Sequence, residues 1–64
     1  MMRAGERKLL DEALGDLRGS LNAIGRAMRV INGVTGCERE RERLRRVETD
    51  IRQTVEDLAK RLAR

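Results

Sequence analysis

Leu10, Leu14, Leu17, Leu21, Ile24, Met28 and Ile31 recur at alternating spacings of four and three residues. That is the period of a coiled-coil seam, and it makes the first half of the chain one amphipathic helix with an apolar stripe along its length. The stripe stops at Asn32-Gly33, and a second periodic segment begins a few residues later. A hairpin of two long helices is the architecture this pattern predicts, with all 64 residues in a single domain.

The first helix is expected over about residues 5–32. Glu6, Asp11 and Glu12 sit toward its start and Arg26 and Arg29 toward its end, which suits the helix dipole at both termini. Gly15, Gly19 and Gly25 oppose it, each costing about 1 kcal/mol relative to alanine in a helix interior. Such a helix draws its stability from packing and not from propensity. Gly33 is the expected left-handed cap that ends it. Thr35, three residues before Glu38, has the spacing of a capping box, so the second helix is expected over about residues 36–63 after a loop of residues 33–35. So short a loop makes the two helices antiparallel neighbours.

The two helices differ in how much company they need. In the second, Cys37, Leu44, Val47, Ile51, Val55, Leu58 and Leu62 fall within roughly 80° of the helical wheel, enough for one neighbour. Successive spacings of four from Val47 to Ile51 to Val55 predict a stutter that straightens the helix locally. In the first, a flank of Leu9, Ala13, Ser20, Ala23, Ala27, Val30 and Val34 lies beside the heptad and widens the apolar arc to roughly 200°. One helix cannot cover that arc. The nearest source of another is a second copy of the chain, so the expected fold class is all-α, an antiparallel two-helix hairpin dimerising into a four-helix bundle. The small side chains at 13, 20, 23 and 27 allow close backbone approach. Asp16 lies inside the same flank, either as a solvated edge residue or as a partner for an arginine across the interface that would fix register.

Composition leads to the same need. A chain this short is marginal unless stapled, and a single cysteine with no histidine supplies neither an internal disulfide nor the usual zinc site. Charged residues make up 41% of the chain, but 15 basic against 11 acidic side chains are nearly balanced and the apolar residues are periodic, which points to order. Uncharged stretches reach only residues 19–25 and 30–37, too short for a membrane span, and Met1 to Gly5 does not read as a signal peptide. A cytoplasmic location is the expectation, in keeping with sparse cysteine. Thirteen of the fifteen basic residues are arginine, a composition compatible with a bacterial or phage gene. With no Phe, Tyr or Trp, any partner is held by aliphatic packing and arginine, without aromatic stacking or aromatic hot spots.

Catalysis is poorly supplied. Without histidine, no nucleophile paired with a base can be assembled from Ser20, Thr35, Cys37, Thr49 and Thr54, and the carboxylates are interleaved with arginines as in a solvated face. The chain is therefore expected to be no enzyme and to carry no metal or cofactor. Cys37 reads as a small hydrophobe closing the loop end of the seam, with a reactive thiol as the alternative. The run from Glu38 to Arg46 holds five arginines and three glutamates, placing Glu38, Glu40 and Glu42 three residues before Arg41, Arg43 and Arg45.

The function these features suggest is that of a small self-associating helical hairpin, regulatory in character, that binds and modulates another protein as an inhibitor, chaperone or anti-activator. Its interface would be Leu9, Ala13, Asp16, Ser20, Ala23, Ala27, Val30 and Val34. The alternative is a basic dimeric bundle, of net charge +4, that binds structured RNA or DNA through Arg39, Arg43 and Arg46. A membrane surface is the least suited partner, since aromatic anchors are missing and the polar faces carry acids.

Overall fold

The protein, seen here as a computed structural model that describes residues 3–63, is two α-helices packed against each other as a hairpin. Helix α1 spans Ala4–Ile31 and helix α2 spans Glu38–Ala63, joined by residues 32–37. The molecule measures 50 × 14 × 12 Å. Met1, Met2 and Arg64, which the single-domain assignment included, lie outside the described residues. No helix among the described residues is long and apolar enough to cross a membrane.

Dipole complementarity holds at both ends of both helices: Glu6 and Arg29 stand in the first and last turns of α1, and Glu38, Glu40, Lys60 and Arg61 in those of α2. The expected heptad of α1 is its packed face. Leu14 is buried at 5% exposure, and Leu10, Leu17, Leu21, Ile24, Met28 and Ile31 are all half-buried.

On α2 the structure corrects the stutter. From Cys37 just before the helix, half-buried residues recur at Arg41, Leu44, Glu48, Ile51, Val55, Leu58 and Leu62, an unbroken alternation of four and three with Ala59 half-buried beside Leu58, whereas Val47 is exposed at 43%. Two charged residues hold places in the seam because their alkyl stems cover apolar surface while their heads reach its edge. Arg41 Nη1 donates to Asn32 Oδ1 at 3.4 Å and its Nη2 lies 3.4 Å from Glu38. Glu48 lies 3.9 Å from Arg52.

Register follows from two observations. At the open end of the hairpin the Arg7 guanidinium donates to the Leu62 carbonyl, and midway Leu21 and Glu48 line one groove. Leu14 therefore stands opposite Val55, Leu17 opposite Ile51, and Met28 opposite Arg41.

The connection differs from its expected form at both ends. Helix α1 closes by tightening: the Asn32 N–H donates to Met28 O, Gly33 N–H to Val30 O at 3.2 Å and Val34 N–H to Ile31 O at 2.9 Å. Gly33 is thus not the left-handed residue. That role belongs to Gly36, at φ +91°, two residues before α2. The Arg41 N–H donates to Cys37 O at 3.0 Å, making Cys37 the residue that caps the first turn of α2. Thr35 precedes that cap by two residues, so the Thr35–Glu38 capping box does not form, and the loop is 32–37, longer than the expected 33–35.

Candidate interaction surface

Leu9, Ala13, Asp16, Ser20, Ala23, Ala27 and Val30 lie on α1, and Val34 lies in the connecting loop. Their spacing is itself an alternation of four and three, one residue out of step with the seam that meets α2. One residue is about 100° of rotation, so α1 carries two heptad stripes on adjoining faces. The first is packed. The second is open: Leu9 is exposed at 65%, Val30 at 72% and Val34 at 48%, and of the whole set only Ala13 is half-buried.

Two polar residues interrupt this stripe. The Ser20 hydroxyl donates to the Asp16 carbonyl at 3.0 Å, so its hydrogen bond is made within the helix and needs nothing from outside. The Asp16 carboxylate is exposed and, among the described residues, has no ion-pair partner. Glu12 stands four residues before it, also exposed, and like charges at that separation repel.

Val47, which the sequence placed in the packed seam, belongs with this surface instead. In an antiparallel pair, residues that directly precede corresponding seam positions emerge on the same side, and Val47 precedes Glu48 as Ala13 precedes Leu14 and Ala27 precedes Met28. The side of the hairpin that shows the second stripe of α1 therefore also shows Val47 of α2.

The opposite side is charged. A shallow groove there is lined by Arg18, Leu21, Asn22, Gly25, Arg29, Glu48 and Arg52, with three arginines facing one glutamate. Arg39, Arg43 and Arg46 lie on the outer surface of α2. Among the described residues the ion pairs of α2 are Glu38–Arg41, Glu42–Arg45 and Glu48–Arg52, at 3.4, 3.7 and 3.9 Å. The expected Glu40–Arg43 pair does not form, and Arg39, Arg43 and Arg46 have no acid within 4.0 Å among the described residues.

The chain matches no protein-family model, no curated protein and no solved structure. Its own surface carries the functional argument.

The balance of surface area gives that argument a scale. A compact folded chain of 7.3 kDa exposes about 4,200 Å² by the size scaling of monomeric proteins. This hairpin exposes 5243 Å². The excess, roughly 1,000 Å², is comparable with the roughly 800 Å² that one partner contributes to a standard protein interface. Two helices with one buried side chain between them, Leu14, leave that area uncovered.

Proposed function

We propose that this chain is a self-associating helical hairpin without enzymatic activity that acts by binding and modulating another protein, as an inhibitor, chaperone or anti-activator does. Two copies form an antiparallel four-helix bundle. The observation that carries the proposal is the second heptad stripe of α1, a surface of apolar and small residues from Leu9 to Val30, exposed except at Ala13 and interrupted by Asp16 and Ser20. Helix-on-helix packing is the recognition mode that fits such a stripe, and it needs no aromatic anchors.

A second reading rests on Arg39, Arg43 and Arg46, which make no ion pair among the described residues. In that reading the bundle binds structured RNA or DNA through the outer surface of α2. One experiment separates the two: capture from the native host at rising salt, with protein and nucleic acid both assayed in the eluate. Protein capture that tolerates salt and is lost in Ala23→Glu supports the first. Nucleic-acid capture that falls steeply with salt and is lost when the three arginines become glutamine supports the second.

A further inference from the structure

We infer that the occupant of the open stripe of α1 is the same stripe of a second copy, running antiparallel about a two-fold axis at Ser20. This rests on the reading that the stripe is an interface, and it specifies partner, direction and register. Along α1, from Leu9 to Val30, the stripe is palindromic in size: large at Leu9, short at Ala13, Asp16, Ser20, Ala23 and Ala27, large again at Val30. Turned end for end, Leu9 stands opposite Val30 of the second copy, Ala13 opposite Ala27, Asp16 opposite Ala23, and Ser20 opposite itself. Every layer then pairs large with large or puts small side chains together, and the helices approach most closely at the axis. Ser20 suits that place because its hydroxyl is already hydrogen-bonded within its own helix. Gly19 beside it leaves open space where a Cβ would stand.

Charge selects the same register. In this alignment Arg26 of the second copy falls between Glu12 and Asp16, and the two-fold repeats the arrangement, so each end of the interface sets one guanidinium against two carboxylates. Glu12, Asp16 and Arg26 are all exposed and, among the described residues, none has an ion-pair partner in its own chain. A parallel pairing would put Asp16 beside Asp16 and Arg26 beside Arg26, and charge opposes it. The mutual repulsion of Glu12 and Asp16 within one helix is relieved by the partner's arginine in the antiparallel arrangement only. The roughly 1,000 Å² by which the hairpin exceeds the surface of a compact monomer is enough for one chain's share of such a dimer.

The test uses the full chain. Sedimentation equilibrium from micromolar to millimolar concentration should give a dimer, weakened about tenfold or more in Arg26→Glu and in Glu12→Arg, and restored toward the parent in the double variant. Orientation is read separately: Leu9→Cys and Val30→Cys chains, each with Cys37→Ser, are mixed and treated with a short bismaleimide. The product expected is the mixed 9–30 dimer. A dimer that yields 9–9 and 30–30 products overturns the antiparallel register while leaving the stripe as an interface. A parent chain that stays monomeric, or a dimer indifferent to Ala23→Glu and giving none of these products, overturns the register and the interface together. A monomer that binds a helix of another protein through the stripe overturns the second copy as occupant.

Discussion

Replacing Glu48 by leucine should stabilise the hairpin, because Glu48 occupies a seam position opposite Leu21 and its side chain is only 22% exposed. Fully burying a leucine contributes about 1.5–3 kcal/mol, and a site that hides nearly four-fifths of the side chain retains most of that. Two losses offset it. The methylene groups of Glu48 already cover part of the seam, and its contact with Arg52, long at 3.9 Å and with the arginine mostly exposed, is worth about 0–1 kcal/mol. Leucine and glutamate are near equals in helix propensity, so backbone terms cancel. The net expectation is a gain of about 1–2 kcal/mol. In urea, with a slope near 1 kcal/mol/M for so small a protein, the midpoint should rise by about 1–2 M. Circular dichroism at fixed protein concentration reads it, with Arg52→Ala as a control expected to move the midpoint by less than about 0.5 M. If Glu48→Leu leaves the midpoint unchanged or lowers it while Val47→Leu raises it, the seam runs through Val47 and the heptad assignment of α2 is wrong.

Leu14→Ala, at the one buried side chain among the described residues, should cost about 3 kcal/mol and reduce the cooperative thermal transition to a shallow slope; a melt within a few degrees of the parent would contradict its place at the core. Gly36→Ala should cost about 1–2 kcal/mol because alanine resists φ +91°, whereas Gly33→Ala, at negative φ with its Cβ 3.6 Å from the Val30 carbonyl oxygen, should lie within about 0.5 kcal/mol of the parent by urea titration. For two 64-residue chains melting together, an unfolding entropy of about 2.1 cal/mol/K per residue makes Tm rise about 5 °C per tenfold increase in concentration, and a concentration-independent Tm would count against association.

Both helices and their antiparallel packing were legible in the sequence because the heptad of α1 consists entirely of apolar residues. The corresponding heptad of α2 was hidden: Arg41 and Glu48 fill two of its eight positions, and a pattern sought among apolar residues passes over them to Val47. What marks them as seam residues is spacing, which continues at four and three only if charged side chains are counted. The loop misled for another reason. Gly33 and Gly36 lie three residues apart, each placed to end or interrupt a helix, and only the backbone tells which one adopts positive φ. The open stripe was legible as a set of residues, and the structure adds its exposure and Val47. In the sequence alone Glu12 and Arg26 read only as dipole partners, since the relation to Asp16 proposed for them requires a second copy of the chain.

The distribution of charge along the packed seam bears on how the hairpin comes apart. Met28 with Arg41 on the loop side and Leu21 with Glu48 midway are the layers that hold a charged residue, while those toward the termini, Leu14 with Val55 and Leu17 with Ile51, are wholly apolar. Charged layers are thus confined to the loop half, where contacts close the shorter chain segments, and the terminal half, where closure entropy is larger, is wholly apolar. Neither half can persist without the other. Fraying that starts at the loop gains little until the apolar layers also part, and partial structures that hold only the termini have a long closed segment to restrain. Amide hydrogens along both helices should therefore exchange through one shared opening in place of a graded unzipping, with protection that falls together when Leu14 is truncated.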